Sequence, residues 1–161
     1  MSLSLTGFGY DIHQLEEGRP LVLGGVPIPN SPHGPIAHSD GDVLLHALCD
    51  ALLGAAGLRD IGHYFPNTDP RFENISSLEL LKEVRELIEG EGGKVVQVDC
   101  TLVLEQPKLA PYRDEICRTI ASHLDIPERR VSVKATTNEG IGSIGRGEGM
   151  AAYAVAVISI G

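Results

Sequence analysis

The chain is poor in positive charge and in cysteine, and it has no long apolar run. Its 161 residues include 13 Lys and Arg against 22 Asp and Glu, a formal net charge of −9. A general nucleic-acid-binding protein needs a basic surface, so this balance argues against that class. Any phosphate ligand must be held by a metal ion, a helix N-terminus or a few Lys and Arg side chains.

The three cysteines are widely spaced, and no C-x-x-C motif occurs. An odd number of separated cysteines is a poor disulfide framework, so we expect Cys49, Cys100 and Cys117 to be reduced, buried thiols. No segment approaches the roughly 20 apolar residues that cross a membrane. The N-terminus resembles neither a signal peptide nor a transit peptide. We therefore expect a bacterial-type cytoplasmic protein without membrane contact.

Hydrophobic residues make up 42% of the chain and charged residues 22%, which fits one globular domain over residues 1–161. The predicted strands span residues 3–13, 94–105, 130–137 and 150–160, and the predicted helices span 39–57, 76–89 and 111–124, with Ser39 as the N-cap of the first. A hairpin is predicted over 20–29, and loops over 30–37, 60–74 and 136–149. This order indicates an α+β two-layer sandwich, a mixed sheet with helices on one face.

Two imidazoles and a carboxylate from the first 46 residues can meet in one site. Asp11 and His13 share one strand face, because residues i and i+2 of a strand point the same way. Asp42, His46 and Asp50 follow at helical spacing on an otherwise apolar helix. Asp11, His13 and His46 would form an open catalytic site for Zn²⁺, although Mn²⁺ or Fe²⁺ would suit the same ligands. For Asp11 and His13 the alternative is a polar pair on the surface of an edge strand. For Asp42, His46 and Asp50 the alternative is a solvated helix face.

Residues 136–149 combine hydroxyls, a carboxylate and many glycines. Thr136, Thr137 and the unhindered backbone N–H groups suit a phosphate or diphosphate, and Glu139 could hold Mg²⁺ or Mn²⁺ beside it. The alternative is a simple glycine-rich hairpin loop, since no P-loop motif is present. The remaining histidines lie in loops or near a helix end, where surface or capping roles are expected: His33, His63 and His123.

Four segments resemble the 2-C-methyl-D-erythritol 2,4-cyclodiphosphate synthase family in the same order. They are GFGYDIH at 7–13, HSDGDVLLHALCDALLGAAGLRDIGHYFPNTD at 38–69, LEQPKLAPY at 104–112 and VKATTNEGIGSIGRGEGMAA at 133–152. The resemblance implies a CMP-releasing lyase of the non-mevalonate isoprenoid pathway. It would convert 4-diphosphocytidyl-2-C-methyl-D-erythritol 2-phosphate into a cyclic diphosphate. It also implies a homotrimer with an active site at each subunit boundary.

The resemblance assigns roles to individual residues. Asp11, His13 and His46 correspond to the zinc ligands, and His38 and Thr137 to the transition-state stabilisers. Glu139 would reach a second ion, Mg²⁺ or Mn²⁺, on the substrate diphosphate. Arg146 resembles a residue near the trimer axis, where family members can hold an isoprenoid diphosphate; the alternative is a loop arginine paired with Glu148. The implied substrate contacts are Asp11, Ile12, His13, His38, Ser39, Asp42, Asp60, Ile61, Gly62, Phe65, Pro66, Asn67, Thr68, Asp69, Leu104, Lys108, Leu109, Ala110, Thr136, Thr137, Asn138, Glu139, Ser143 and Arg146.

The chain departs from the family pattern at two positions. Ser143 stands where the family often has an aromatic residue, and Asn67 where many members have Asp; we expect altered ligand packing at both. Two other functions are compatible with the same residues. A metal-dependent phosphohydrolase would use water as the nucleophile and release a linear phosphate. A trimeric sensor would bind isoprenoid diphosphates without turnover.

Overall fold

The computed structural model describes residues 1–161. The strands are β1 (Leu3–Glu17), β2 (Leu21–Leu23), β3 (Val26–Ile28), β4 (His33–Pro35), β5 (Gly93–Val103), β6 (Val131–Thr136) and β7 (Gly149–Ile160). The α-helices are α1 (Val43–Ala55), α2 (Ile61–Tyr64), α3 (Ser77–Gly90), α4 (Arg113–Leu124) and α5 (Gly142–Gly145). Single 3₁₀ turns lie at Pro70–Phe72, Ala110–Tyr112 and Glu128–Arg130. None of these helices has the length and apolar character that crossing a membrane requires.

A five-stranded mixed sheet forms the centre of the fold, in the order β4-β1-β7-β5-β6. β5 and β6 run parallel, and every other neighbouring pair is antiparallel. The helices α1, α3 and α4 pack against one face of this sheet. The α+β architecture with a mixed sheet is thereby confirmed. The predicted hairpin is also confirmed as β2 and β3, which are joined at Gly24-Gly25.

Helix α1 lies directly on β1 because two glycines remove the side chains between them. A Cβ atom on Gly7 would lie 1.9 Å from the carbonyl oxygen of Ala51, and one on Gly9 would lie 1.9 Å from that of Ala47. The predicted close backbone approach at these glycines is confirmed. The same face of β1 continues through Asp11 and His13, which therefore point toward α1.

The start of α1 differs from the prediction. The helix begins at Val43, with Asp42 as its N-cap, and Ser39 lies outside it. Gly41, at φ +68°, separates Ser39 from the helix, and the Ser39 hydroxyl accepts from Gly41 N instead of from a helix N–H. The Asp42 side chain accepts a hydrogen bond from Leu45 N instead. The predicted helix is therefore shorter at its N-terminal end.

All three predicted loops contain short regular elements, and in residues 136–149 this element is α5. Residues 30–37 include β4, which pairs with the end of β1 and makes that strand longer than the predicted 3–13. Residues 60–74 include α2 and a 3₁₀ turn, each capped by an aspartate, Asp60 and Asp69. Elements of three or four residues have too few positions for a periodic pattern to show. All three cysteines are buried and unpaired, as expected.

A Gly9→Ala substitution should destabilise the protein strongly. The new Cβ meets backbone atoms of α1, which cannot rotate away, so β1 and α1 must separate. We expect the free energy of unfolding to fall by about 3 kcal/mol or more. Gly90→Ala is the matched control, because nothing lies within 4 Å of a Cβ at that position. Chemical denaturation measures both; equal stability for the two variants would contradict the close-packing argument.

Candidate active site

Three potential ligand atoms converge where β1 passes the first turn of α1. His13 Nε2 lies 2.9 Å from Asp11 Oδ2. His46 Nδ1 lies 3.2 Å from the same Asp11 oxygen and 3.2 Å from His13 Nε2. This trio is the one group of three or more His, Cys, Asp or Glu side chains in the chain with metal-ligand spacing. The predicted convergence of Asp11, His13 and His46 is confirmed.

The triangle fits a small divalent cation. With bonds of 2.0–2.1 Å, neighbouring ligands of tetrahedral Zn²⁺ lie about 3.3 Å apart, close to the separations found here. Two imidazole nitrogens and one carboxylate oxygen leave a fourth position open toward the cleft. That arrangement is typical of a catalytic metal site, whereas a structural site is closed by a fourth protein ligand. The donor set alone does not choose among Zn²⁺, Mn²⁺ and Fe²⁺.

The charges of the trio are mutually stabilising. Burial opposes ionisation of Asp11, but hydrogen bonds and charge interactions with His13 and His46 outweigh it and lower the pKa of Asp11 to about 2. Burial likewise disfavours a charged His46, yet the Asp11 carboxylate raises the pKa of that imidazole above its usual value. The site is thus built to hold positive charge beside Asp11, carried either by a proton or by a metal ion.

The trio opens into a cleft of about 300 Å³. His38 and Ser39 lie on one wall, and His38 Nε2 is 3.3 Å from the carbonyl oxygen of Asp69. Ile61, Gly62 and Asn67 of the segment 60–69 also line the cleft. The complete lining is Asp11, His13, Ile36, Ala37, His38, Ser39, His46, Ile61, Gly62, Phe65, Asn67, Phe72, Ile75 and Leu80. The segment 60–69, which supplies several of the implied substrate contacts, therefore borders the predicted metal site.

The segment 60–69 is anchored at both ends. Asp50 accepts a hydrogen bond from Ile61 N at 2.9 Å, which ties the start of the segment to α1. Asp60 caps α2 by accepting from His63 N. Phe65 is buried and meets the Phe72 ring edge-on, with 5.4 Å between the ring centroids. Pro66 and Thr68 complete the segment, and Thr68 is exposed.

Asp42 lies outside the cleft, where its side chain holds two elements of the fold together. Its carboxylate accepts hydrogen bonds from Gly24 N at 3.0 Å, Gly25 N at 2.7 Å and Leu45 N at 3.1 Å. The residue has no exposed surface, and burial raises its pKa to about 6. Of the expected set of Asp42, His46 and Asp50, only His46 and Asp50 lie within α1, because Asp42 is its N-cap, and the three side chains have different partners. Asp42 offers no exposed atom for the substrate contact that the resemblance implies.

A second group of predicted residues lies in another pocket. Leu104, Lys108, Leu109, Thr136 and Thr137 line a cavity of about 80 Å³ together with Leu102, Pro107 and Ala135. The backbone joins these segments, because Leu104 N donates to the carbonyl oxygen of Thr136. Asn138 N donates to the Glu105 carboxylate at 2.7 Å, and Glu139 N donates to Thr137 Oγ1 at 3.1 Å. Ala110 is exposed next to this pocket.

The two pockets have no lining residue in common. His38 borders the first and Thr137 the second, so one chain does not place the two predicted stabilisers in a single cavity. Ile12 points away from Asp11 and His13, toward an open depression that Ser143 also lines. Arg146 is exposed and pairs with Glu148 at 2.7 Å.

The other histidines lie away from the trio. His33 and His63 are exposed, and His123 Nδ1 is 2.8 Å from the carbonyl oxygen of Thr119 within α4. Sequence reasoning missed two partners of the trio, Asp40 and Ser77, which contact each other behind His46. Ser77 lies 31 positions after His46 and 37 positions after Asp40, so no sequence spacing links them. Only the packing of α3 against α1 shows the contact.

Comparison with known proteins places the chain among close relatives. The model of the YgbB family matches residues 4–159. The 2-C-methyl-D-erythritol 2,4-cyclodiphosphate synthase of Desulfatibacillum aliphaticivorans is 59% identical over 152 residues, covering 94% of this chain and 97% of the relative. The enzyme of the same name from Symbiobacterium thermophilum is 57% identical over 155 residues, covering 96% and 98%.

Solved structures agree in fold. The bifunctional IspDF from Campylobacter jejuni superimposes with a TM-score of 0.95 at 43% identity, covering all of this chain and 43% of that longer one. A 2C-methyl-D-erythritol-2,4-cyclodiphosphate synthase in its CDP-bound form gives a TM-score of 0.87 at 43% identity. That match covers 95% of this chain and 99% of the other.

An Asp42→Ala substitution should cost more stability than an ordinary N-cap loss. It would leave buried N–H groups of the β2–β3 turn without an acceptor in addition to uncapping α1. We expect a loss of at least about 2 kcal/mol in the free energy of unfolding. Asp60→Ala, which uncaps an exposed helix start, should cost about 1 kcal/mol. Urea unfolding compares the two; equal losses would contradict the clamp role of Asp42.

Proposed function

The chain belongs to the YgbB family, and we propose that the cleft at Asp11, His13 and His46 carries out the reaction of its curated relatives. It is an enzyme of the cyclisation step of non-mevalonate isoprenoid synthesis, a lyase that releases CMP. The substrate is 4-diphosphocytidyl-2-C-methyl-D-erythritol 2-phosphate, and the product is 2-C-methyl-D-erythritol 2,4-cyclodiphosphate. The observation that carries the assignment to this cleft is the triangle of ligand atoms 2.9–3.2 Å apart at its base.

The reaction is an intramolecular phosphoryl transfer. An oxygen of the 2-phosphate forms a bond to the β-phosphorus, and the bond from that phosphorus to the bridging oxygen breaks, so CMP leaves with the bridging oxygen. The attacking oxygen is already anionic near neutral pH, so no general base is needed. Positioning and charge neutralisation then provide most of the rate enhancement.

The trio would hold one divalent ion, for which Zn²⁺ fits the two imidazoles and one carboxylate. Glu139, exposed beside the second pocket, would help to hold a second ion, Mg²⁺ or Mn²⁺, which would neutralise charge on the substrate diphosphate. When bound, these ions supply the positive charge that an acidic chain lacks. This division explains how a protein with a net charge of −9 can accept a polyanionic substrate.

The remaining residues of the two pockets would bind and orient the substrate. His38 and Thr137 would donate hydrogen bonds to the phosphoryl oxygens as charge moves toward the leaving group. Asp60, Ile61 and Gly62 would hold the erythritol hydroxyls, with the segment to Asp69 covering them. The segment from Leu104 to Ala110 would receive the cytosine ring. Residues 1–161 would form one catalytic domain.

The separation of the pockets supports a homotrimer with shared active sites. The face of the sheet opposite the helices exposes Phe8 by 63%, Tyr10 by 44% and Tyr153 by 42%, with Tyr10 and Tyr153 in contact at 5.1 Å. Such an apolar face is typical of a subunit interface. Trimer formation would bury it and bring the second pocket of one subunit to the cleft of the next. Arg146, near the axis, would then bind an isoprenoid diphosphate.

Phosphorus NMR tests the reaction directly. The chelator-stripped protein is incubated with the diphosphocytidyl substrate, with Zn²⁺ and Mg²⁺ returned singly and together. We expect CMP and a cyclic diphosphate to form only with metal, and His46→Ala to abolish both stoichiometric zinc and turnover while remaining folded. CMP with linear phosphates would indicate a hydrolase instead. Ligand binding without any product would indicate a sensor.

Mixing two inactive variants tests the shared site. His46→Ala damages the metal half and Thr137→Ala the nucleotide half, so each homotrimer should be inactive. In hybrid trimers formed by co-expression at equal levels, a site is intact when its metal half comes from a Thr137→Ala subunit and its nucleotide half from a His46→Ala subunit. This gives about a quarter of the sites, and we expect that fraction of wild-type activity. No recovery in confirmed hybrids would place both halves within one chain.

A further inference from the structure

A buried hydrogen-bond chain lies behind His46, on the side away from the metal-facing nitrogen. His46 Nε2 is 2.9 Å from Ser77 Oγ. Ser77 Oγ lies 2.5 Å from Asp40 Oδ1, and Ser77 N donates to Asp40 Oδ2 at 2.9 Å. Ser77 has no exposed surface, although it is a polar residue at the start of α3. Its hydroxyl is therefore wholly committed to these two partners.

The direction of the hydrogen bonds follows from the number of protons. A serine hydroxyl has one proton to donate, and the Asp40 carboxylate can only accept, so Ser77 donates to Asp40. The lone pair of Ser77 Oγ must then accept from His46 Nε2–H. With its proton on Nε2, the neutral imidazole directs its Nδ1 lone pair toward Asp11 Oδ2 and His13 Nε2. The chain thereby selects the tautomer that can ligate a metal.

Asp40 is itself firmly placed. Its Oδ1 accepts from Asp42 N at 3.1 Å, and its backbone N donates to the carbonyl oxygen of Ile75. The amide of Ser77 is one of the free N–H groups at the N-terminus of α3, where a carboxylate is favoured by the helix dipole. Asp40 therefore joins the segment before α1 to the start of α3. The orientation of the His46 ring depends on how these two helices pack.

We propose that Ser77 and Asp40 are positioning residues of the metal site, which act through His46 and never touch the ion or the substrate. This inference rests on the metal role proposed for Asp11, His13 and His46. Hydrogen-bonded partners of ligating histidines hold the ring in place and set its tautomer, and their loss usually weakens metal binding 10–100-fold. Ser39 Oγ, 3.2 Å from the same nitrogen, cannot replace Ser77, because it is half-exposed in the cleft.

Zinc affinity measured without substrate is the decisive readout. The Ser77→Ala variant competes for Zn²⁺ with a chromophoric chelator, whose absorbance reports the zinc that the protein leaves unbound. We expect the Kd of the variant for zinc to rise roughly 10–100-fold. Ser76→Ala is the matched control. It removes a neighbouring hydroxyl that caps α3 through Leu78 N and makes no contact with His46. Its zinc affinity should equal that of the wild type.

Two further measurements separate positioning from general stability. Thermal unfolding of the metal-free proteins shows whether Ser77→Ala folds, and the visible spectrum of bound Co²⁺ reports the ligand geometry. We expect an altered Co²⁺ spectrum in Ser77→Ala and an unaltered one in Ser76→Ala. If Ser77→Ala does not fold, Asp40→Asn tests the chain from its other end, again with weaker zinc binding expected.

The outcomes distinguish this inference from the proposed function. Wild-type zinc affinity in folded Ser77→Ala, or equal losses in Ser76→Ala and Ser77→Ala, would overturn the positioning role and leave the metal site intact. A wild-type chain that binds no zinc, or a His46→Ala chain that binds it normally, would overturn the metal site and the inference with it. Selective loss in Ser77→Ala, with zinc retained in the wild type, supports both.

Discussion

The direct contact between β1 and α1 is the constraint on which the candidate site depends. Without side chains at Gly7 and Gly9, the strand backbone lies against the carbonyl groups of Ala47 and Ala51. Short imidazole and carboxylate side chains can then meet across the two elements, since His46 lies one residue before Ala47. A wider separation would leave the ligand atoms too far apart for one ion. Packing at a pair of glycines thus sets the geometry of the candidate metal site, which begins two residues further along the strand.

The acidic residues near the site are mostly used to hold the backbone. Asp42 clamps the β2–β3 turn to α1, Asp50 holds the start of the segment 60–69, and Asp40 ties α3 to the loop before α1. Their charges are thereby paired with backbone N–H dipoles, leaving Asp11 as the carboxylate of the candidate metal site. A chain rich in Asp and Glu can in this way offer a cleft to an anionic substrate.

Helices and strands with a strong local pattern could be predicted from the sequence, but the residues at which they begin and end could not. The apolar spacing of residues 76–89 and the alternation of residues 94–105 identified α3 and β5 to within two residues at each end. The beginning of α1 was wrong because Ser39 and Asp42 are both good cap residues, and the backbone at Gly41 decides between them. For a related reason, Asp42 is the N-cap and does not lie within the helix beside His46 and Asp50. Helical spacing does not show which residue is the N-cap, nor that the side chain of this residue binds another element.

By itself, the sequence determined the α+β class, the ligand types and their pairing on one strand, because strand alternation and side-chain chemistry are local properties. The resemblance to the family added the reaction and predicted the residue roles. Only the tertiary structure decided that His46 reaches Asp11, that Asp42 is withdrawn into the core and that Ser77 stands behind His46. It also separated His38 from Thr137 into different pockets of one chain. These relations join residues far apart in the sequence, so they exist only once helices and strands have packed.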